Sequence, residues 1–396
     1  QDVVDSLLAN FELPANAVYK INGPVNLNRV VQVYDLVKRP ELKFRPFQPR
    51  LLRDVDCMFD AIRQGDVLLH HPFDAFTPVL ELIQQAAHDP DVLAIKQTLY
   101  RTGKDSLIVD QLIQAARNGK DVTVVVELRA RFDEEANLGL ADRLQDAGVQ
   151  VVYGVVNYKT HAKMLLIVRR EGPLLQRYVH LGTGNYHSGT ARAYTDFSLM
   201  TANPQIGNDV HLIFQQLSGL AAPLTLARLL QSPFTLHKGV LERIAREAAL
   251  AQAGKPGRII AKINALNEPQ VVRALYEASQ AGVAIDLIVR GACALRPGIA
   301  GVSDNIRVRS VVGRFLEHHR VWWFGNDGNP ELYCSSADWL ERNLLRRVET
   351  AFPILDPQLA ERVYREGLLN YLADNQNAWQ MGADGHYHRC TPGPDE

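Results

Sequence analysis

The sequence predicts an α/β fold built from two duplicated halves. Strand-like apolar runs alternate with helical stretches up to about residue 232, and the alternation begins again after Leu236. Each half also has a basic pair on an apolar strand, then a turn of small residues, then a carboxylate, in the same order. Alternating strands and helices are typical of layered α/β structures, for which a largely parallel sheet is expected.

Length and charge set the first limits on function. The chain has 396 residues, 46% hydrophobic and 22% charged, which is enough for two or three globular domains. Lys and Arg number 43 against 44 for Asp and Glu, a formal net charge of -1. Because no overall field attracts nucleic acid or a membrane surface, any anion-binding site has to be local.

The cysteines and the apolar runs predict a cytoplasmic location. Cys57, Cys293, Cys334 and Cys390 are scattered without a C-x-x-C pair, so neither a disulfide framework nor a zinc site is indicated. No charged-then-apolar leader and no apolar run of bilayer length is visible. The chain begins at Gln1 inside a folded-looking pattern, from which we expect a fragment of a longer protein.

Three segments are predicted along the chain. Residues 1–56 end in a proline-punctuated basic stretch and are interpreted as the tail of an upstream domain with its connector. Residues 57–232 and residues 233–396 are predicted to form one domain each, corresponding to the two halves. The terminal stretch around His386-Tyr-His388-Arg-Cys390 has metal-like donors, but its Pro/Gly-rich context favours a flexible tail.

The individual elements follow from the hydrophobic pattern. In the first half we predict strands at Val92–Leu99, Val122–Glu127, Val149–Tyr153, Met164–Val168 and Arg177–Leu181, and a helix at Leu107–Arg117. In the second half we predict strands at Arg258–Ile263, Ile285–Val289 and Val321–Phe324, and a helix at Val271–Ala278.

Two alignments of the halves indicate a duplication. Asp105–Val126 lies over Glu268–Val289 without a gap, with Gly119 over Gly282. The motif order then repeats as His161-x-Lys163, Gly182-Thr-Gly-Asn185 and Asp196 in the first half, and His318-x-Arg320, Ser335-Ser-Ala-Asp338 and Glu349 in the second.

These residue types suit phosphoryl chemistry. A neutral imidazole is a good nucleophile toward phosphorus when a carboxylate fixes its tautomer, and Asp196 and Glu349 are the candidates for that role. Cationic and polar groups stabilise the charge on phosphoryl oxygens, a role that we assign to Lys163, Arg320, Asn185 and the Thr183 region. Further arginines stand at predicted strand ends, where ligands of α/β sheets bind: Arg101, Arg129, Arg131 and Arg290.

Together these motifs resemble a known family. The similarity is carried by Tyr158-Lys-Thr-His-Ala-Lys163, Leu181-Gly-Thr-Gly-Asn185, Thr190-Ala-Arg-Ala-Tyr-Thr-Asp196, Val289-Arg-Gly291, Ser303-Asp-Asn-Ile-Arg307 and Ser335-Ser-Ala-Asp-Trp339. They look like the two C-terminal domains of the long, ATP-using polyphosphate kinases, over roughly residues 18–370. The catalytic domains of that family are phospholipase D-like in fold, which accounts for the duplication.

The resemblance implies a reaction and a set of roles. His161 matches the histidine that becomes phosphorylated, and His318 matches a second active-site histidine at the nucleotide. Tyr194 and Arg290 match nucleotide contacts. Arg101 and Arg131 match a magnesium-phosphate site, where arginine, having no lone pair, would hold the phosphates that in turn hold Mg²⁺.

The implied reaction is reversible transfer of the ATP γ-phosphate to polyphosphate. Mg²⁺ is the implied cofactor, and ATP or ADP and polyphosphate are the implied ligands, with no nucleic acid. A homo-oligomer is expected. The implied location is cytoplasmic, with peripheral association at the inner membrane in a longer form of the chain.

Alternatives remain open on the residues alone. Phospholipase-type sites carry H-x-K-x(4)-D, whereas this chain has Val168 at the Asp position and Arg320 in place of the second lysine. One alternative is a phospholipase D-like phosphodiesterase or nuclease that uses the same histidine pair. Another is a non-catalytic polyphosphate-binding module. His180 and His187 are rival phosphorylation sites that lack a lysine two residues on, and His319 is the rival of His318.

Overall fold

The computed structural model describes residues 2–52, 55–100, 106–127, 134–155, 158–219 and 225–393. Its internal contacts divide the chain into the units Gln1–Pro46 and Phe47–Glu396. The first unit contains helices α1 (Asp2–Asn10) and α2 (Val31–Leu36). The domain bounds at 56 and 232 stay predictions. Within the described ranges, every helix is too short or too polar to cross a bilayer.

The second unit contains two β-sheets with helices around them. Its helices are α3 (Met58–Gln64), α4 (Thr77–His88), α5 (Leu107–Arg117), α6 (Glu134–Asp146), α7 (Ser188–Ala193), α8 (Pro204–Leu217), α9 (Leu236–Gln252), α10 (Pro269–Gln280), α11 (Glu341–Arg346), α12 (Pro357–Tyr364) and α13 (Asn370–Ala373), with a π-helical turn at Arg365–Leu369.

The strands agree closely with the hydrophobic pattern. They are β1 (Val67–His71), β2 (Val92–Leu99), β3 (Asp121–Val126), β4 (Gln150–Val152), β5 (Lys159–Thr160), β6 (Lys163–Glu171), β7 (Leu174–Gly182), β8 (Tyr194–Thr201), β9 (Leu230–Ser232), β10 (Arg258–Ile263), β11 (Ala284–Val289), β12 (Ile306–Val311), β13 (Leu316–Glu317), β14 (Arg320–Phe324), β15 (Glu331–Ser335), β16 (Arg347–Pro353), β17 (Ala378–Met381) and β18 (Tyr387–Arg389). The predicted strands and helices are therefore confirmed, with ends that differ by a few residues.

The predicted duplication is confirmed by strand order. Among the described residues the first sheet runs β1-β8-β7-β6-β2-β3-β4, and the second runs β18-β17-β12-β11-β10-β14-β15-β16-β5. The path β8-β7-β6-β2-β3-β4 repeats as β16-β15-β14-β10-β11-β12. The sense of every pairing also repeats, from the antiparallel β6-β7 and β14-β15 pairs to the parallel β2-β3 and β10-β11 pairs. The α/β fold class with two duplicated domains holds.

The expectation of largely parallel sheets is wrong. Parallel pairing links β2 with β3 and β3 with β4, and equally β10 with β11 and β11 with β12. The strands that carry the basic pairs and the carboxylates pair antiparallel within their own half, as β6-β7-β8 and β14-β15-β16 do. Their parallel partners are the two-residue strands β13 and β5. A parallel pair needs a crossover helix, whereas β6 and β7 are joined by a tight turn in which Gly172 has a φ of 60°.

The aligned glycines have a common structural role. Gly119 follows α5 and Gly282 follows α10, with φ values of 82° and 99°. Both lie in the left-handed region, where a side chain is strained and glycine is not. Each glycine therefore ends a helix and turns the chain into the next strand, which explains the match seen in the sequence.

The two sheets share one apolar core. Met164 and Leu199 of the first sheet lie in the same buried cluster as Val321 and Phe352 of the second. Separate clusters join the first sheet to its helices α3 to α6 and the second sheet to α9 and α10. Since apolar burial on both faces is the main favourable term, this shared core sets how the halves face each other.

Two short strands cross between the halves. Strand β5, which directly precedes His161, pairs in parallel with β16 of the second sheet. Strand β13, which directly precedes His318, pairs in parallel with β8 of the first sheet. In each half, the short strand just before the histidine thus pairs with the strand of the other half that carries its carboxylate.

The prediction of a flexible tail around His386–Cys390 is wrong for Tyr387–Arg389, which form strand β18. Strand β17 pairs with β12 of the second sheet, and β18 pairs with β17. Cys390 N also donates to Ala378 O at 2.9 Å. Backbone pairing and the apolar contact of Ala378 with the core outweigh the Pro/Gly-rich composition on which the prediction was based.

Candidate active site

His161 is held against the second half by backbone and side chain. His161 N and Ala162 N both donate to Val348 O, each at 2.9 Å. The ring Nδ1 lies 2.9 Å from Glu349 Oε2, one residue further along β16. Ser336 Oγ donates to Glu349 Oε2 at 2.6 Å and Asn343 Nδ2 to Oε1 at 3.0 Å, so this carboxylate is fixed from several sides.

His318 is held against the first half in the same way. His318 Nδ1 lies 2.8 Å and 2.9 Å from the two carboxylate oxygens of Asp196. Thr183 Oγ1 donates to Asp196 Oδ1 at 2.6 Å, as Ser336 does to Glu349. The backbone N of His318 donates to Thr195 Oγ1 at 3.0 Å.

Each carboxylate therefore orients the histidine of the opposite half. Within one half the carboxylate follows its histidine in the sequence, yet His161 pairs with Glu349 and His318 with Asp196. The crossed strands β5 and β13 bring this about. Neither half can assemble a histidine-carboxylate pair without the other.

The basic members of the two motifs lie between these pairs. Arg320 forms a bidentate ion pair with Asp338, in which Nε donates to Oδ1 and Nη2 donates to Oδ2, both at 3.0 Å. Lys163 is 2% exposed and donates from Nζ to His161 O. Burial lowers the pKa of Lys163 to about 7, the charges of Glu349 and Asp196 act to raise it, and that of Arg320 acts to lower it. Both histidine-carboxylate pairs therefore border the same basic site.

Protonation states favour a neutral His161 at pH 7. Burial lowers the pKa of His161 to about 4, against the opposing charge of Glu349. Burial would raise the pKa of Glu349, but the interactions with His161 and Lys163 outweigh it and lower that pKa. The imidazole then carries its proton on Nδ1, facing the carboxylate, and presents a lone pair on Nε2.

The two histidines differ at Nε2. His318 Nε2 accepts a hydrogen bond from Arg320 Nη1 at 3.1 Å. His161 Nε2 has no hydrogen-bond partner among the residues that the structure describes. A lone pair that is not already shared with a guanidinium is the better nucleophile, which distinguishes His161 from His318.

The predicted nucleotide contacts lie beside His318. The ring centroids of Tyr194 and His318 are 5.2 Å apart. Arg290 Nε donates to Asn264 Oδ1 at 2.9 Å, and Asn264 Nδ2 donates to His318 O at 2.9 Å. Tyr194, Arg290 and His318 thus lie close together, and their role as nucleotide contacts stays a prediction.

Only some of the residues predicted to bind phosphate lie in the part of the chain that the structure describes. Asn185 lies in the turn after β7, next to Thr183, with its Oδ1 buried and no partner within the described ranges. Arg101, Arg129 and Arg131 lie outside the described residues. Among the described side chains, no group of three or more His, Cys, Asp or Glu could hold a metal ion.

The rival histidines occupy other positions. His180 is 1% exposed, and its Nδ1 lies 2.7 Å from Tyr186 Oη. His187 accepts a hydrogen bond from Thr190 N at 3.1 Å, which caps α7. His319 is fully buried between Thr195 Oγ1 and Gly367 O.

Several contributing residues were given no individual role from the sequence. Ser336 aligns with Thr183 and Asp338 with Asn185, so the alignment of the two turns could have found both. Tyr100 flanks His161 with a ring separation of 5.0 Å, much as Tyr194 flanks His318. No sequence signal marks Tyr100 or Asn264.

The fold and the site together define a class. This is a duplicated α/β protein in which both halves contribute residues to one histidine-centred site. The fold is shared with the phosphatidylserine synthase of Haemophilus influenzae Rd KW20, at a TM-score of 0.53 and 11% identity, over 83% of this chain and 88% of that one.

Family comparisons narrow the class. Family models described as polyphosphate kinase C-terminal domain 1 and domain 2 match residues 57–223 and 229–396. The crystal structure of the polyphosphate kinase of Porphyromonas gingivalis superimposes with a TM-score of 0.87 at 37% identity, over 100% of this chain and 60% of that one. The chain belongs to the polyphosphate kinase family, and the resemblance seen in the motifs is confirmed.

Curated relatives are similar over almost the whole chain. The polyphosphate kinase of Xylella fastidiosa strain Temecula1 is 73% identical over 99% of this chain and 56% of its own length. That of Burkholderia cenocepacia strain HI2424 is 60% identical over 99% of this chain and 58% of its own length. The chain therefore spans little more than half the length of these relatives.

Proposed function

We propose that this chain carries the catalytic core of a polyphosphate kinase, which transfers the γ-phosphate of ATP reversibly to polyphosphate through a phosphohistidine at His161. Family membership supports the reaction. The observation that carries the choice of residue is the state of His161: Nδ1 is bound to Glu349, and Nε2 has no partner in the described part of the chain.

The first step is attack of His161 Nε2 on the γ-phosphorus of Mg·ATP. An N–P bond forms, the bond from the γ-phosphorus to the bridging oxygen breaks, and ADP leaves with that electron pair. The imidazole becomes cationic as the bond forms, and Glu349 stabilises this charge through Nδ1–H. Tyr194 and Arg290 hold the nucleotide beside His318.

The second step transfers the phosphoryl group to the chain end. A terminal polyphosphate oxygen attacks the phosphorus, the N–P bond breaks, and its electron pair returns to Nε2 of His161. His318 gives or takes a proton at the entering or leaving oxygen, as Asp196 fixes its ring through Nδ1. Dividing one difficult transfer in two lowers each barrier.

Charge in the site comes from local cations, since the net charge of the chain is only -1. Lys163 and Arg320, 2% and 5% exposed, are placed to bind phosphoryl oxygens in a site shielded from water. Mg²⁺ enters with ATP as part of the substrate, where it neutralises charge on the β- and γ-phosphates. Arg101 and Arg131, outside the described residues, are proposed to hold those phosphates.

Labelling with γ-³²P ATP tests this proposal. We expect an acid-labile, base-stable label on this chain, or on the chain extended by the upstream residues of the Xylella fastidiosa relative, because a phosphorus-nitrogen bond hydrolyses in acid. His161→Ala should lose the label completely. His88→Ala should keep it, because His88 is an exposed residue of α4 whose Nδ1 lies 2.9 Å from Gln84 O of the same helix.

Label that persists in His161→Ala would contradict the assignment. Hydrolysis of a phosphodiester without ATP would favour the phosphodiesterase alternative. Salt-sensitive binding of polyphosphate without release of ADP from either form of the chain would favour the binding module.

A further inference from the structure

A buried group of ionisable residues lies behind His318. Lys262 on β10 is 2% exposed, and its Nζ donates to His319 O at 3.3 Å. The same ammonium lies 3.8 Å from Glu317 Oε2 and 4.7 Å from the centroid of the Tyr371 ring. Tyr371 Oη donates to the same carboxylate oxygen of Glu317. Burying an ammonium and a carboxylate is costly, so a reason for retaining them is needed.

The group connects directly to the backbone of His318. Thr195 Oγ1 donates to Glu317 Oε2 at 3.1 Å and accepts from His318 N at 3.0 Å. Thr195 also precedes Asp196, which binds the ring of His318. Thr195 therefore binds the main-chain nitrogen of His318, while Asp196 binds its imidazole. Glu317 fixes the hydroxyl of Thr195, and Lys262 binds the carbonyl of the next residue, His319.

The aligned positions of the first half, all within the described residues, carry different side chains. Thr98 occupies the position in the first half that Lys262 occupies in the second. When Lys163 is aligned with Arg320, Leu165 matches Trp322. Gln97 pairs with Leu165 and Ala261 with Trp322, so the residues that follow, Thr98 and Lys262, correspond. Thr98 Oγ1 donates to Ala162 O at 2.8 Å, just as Lys262 donates to His319 O.

The other two positions are replaced as well. Thr160, before His161, corresponds to Glu317, before His318. Thr160 pairs with Val348 of β16, and Glu317 pairs with Thr195 of β8, so Val348 corresponds to Thr195. Thr98, Thr160 and Val348 carry no ionisable group, and His161 N is bound by a backbone carbonyl rather than by a hydroxyl. The two halves match in fold but differ in the charged residues behind their histidines.

We infer that Lys262, Glu317 and Thr195 form a positioning network that keeps His318 in its catalytic orientation, and that this network makes the two histidines unequal. The inference rests on the proposed function. The cation of Lys262 offsets two nearby carboxylates, Glu317 and Asp196. The positive charges of Arg290 and Arg320 also act on Lys262 and lower its pKa. Without Lys262, the carboxylate of Glu317, 13% exposed, loses its ion-pair partner among the described residues and stays beside Thr195 as an unpaired charge.

Paired substitutions test the network through its charge balance. Lys262→Met removes the ammonium and keeps the shape, and we expect transfer from the phosphohistidine to polyphosphate to slow by about 10- to 100-fold, since small misplacements of a reacting group have effects of this order. Adding Glu317→Gln removes the unpaired charge but keeps an acceptor for Thr195 and Tyr371. The double variant should recover to within about threefold of the wild-type rate.

A matched control exists in the same half. Arg243 donates to Glu331 Oε2 at 2.8 Å and to Tyr333 Oη at 2.6 Å, which is also a cation, a carboxylate and a tyrosine, but outside the proposed catalytic machinery. Arg243→Met should lower thermal stability while the transfer rate stays unchanged.

A second readout does not depend on turnover. The ¹⁵N shifts of the His318 ring should report a single Nδ1–H tautomer in the wild type and in the double variant, and a mixture in Lys262→Met. An unchanged rate and spectrum in Lys262→Met, or a double variant as slow as the single one, would overturn the inference. If the wild type takes no label from ATP, the proposed function fails. The ¹⁵N spectra of the His318 ring still decide whether Lys262, Glu317 and Thr195 position that ring.

Discussion

Replacing Glu349 with glutamine is expected to slow the labelling of His161 by ATP by about 10³- to 10⁴-fold, the effect seen when a carboxylate that fixes a catalytic imidazole is made neutral. Glu349 Oε2 accepts hydrogen bonds from Nδ1–H of His161 and from Ser336 Oγ. A glutamine keeps the shape but cannot stabilise the imidazolium that forms during attack. It also permits the tautomer in which Nε2 is protonated and cannot react.

The opposite carboxylate provides the control for Glu349→Gln. Asp196→Asn should alter the ¹⁵N spectrum of the His318 ring and leave the tautomer of His161 unchanged, because Asp196 binds only His318 of the two. If each carboxylate served the histidine of its own half, the two variants would show the reverse pattern. That reverse pattern would contradict the crossed pairing.

Gly184→Ala is expected to reduce phosphoryl transfer by about 100-fold. A Cβ at Gly184 would lie 2.1 Å from Asp196 Oδ2 and 2.4 Å from its Cγ. Because Asp196 is also bound to Thr183 and His318, its carboxylate cannot move away without releasing the imidazole. The transfer rate and the His318 ring spectrum should both change.

Gly139→Ala is the matched control for this substitution. Gly139 lies in α6, where a Cβ would meet no described atom within 4 Å other than those of the adjoining residues and the helix backbone. This variant should keep the wild-type rate, and its helix should become slightly more stable because alanine has the higher helix propensity. A Gly184→Ala variant with wild-type activity would show that Asp196 is not needed where the structure places it.

The duplicated fold could be predicted because local patterns repeat along the chain. The helix, glycine and strand around Gly119 recur around Gly282, since both turns need a left-handed residue. The order of basic pair, turn and carboxylate likewise recurs. Local signals of this kind do not report strand direction, which is why the largely parallel sheets were wrongly expected.

The crossed pairing could not be predicted for a related reason. Sequence spacing places Asp196 after His161 and Glu349 after His318, and nothing local indicates an exchange. The exchange depends on β5 and β13, each two residues long, which join the sheet of the other half. Contacts between residues that are 188 positions apart, as His161 and Glu349 are, depend on how the halves face each other.

The position of the phosphorus on the imidazole ring tests the account most directly. After reaction with ATP, the labelled chain is denatured in base and its phosphohistidine is analysed by ³¹P and ¹⁵N correlation spectra. Because Nδ1 of His161 is bound to Glu349, we expect phosphorus on Nε2 of His161 alone. Phosphorus on Nδ1, or on His318, would contradict the arrangement of the two histidines described above.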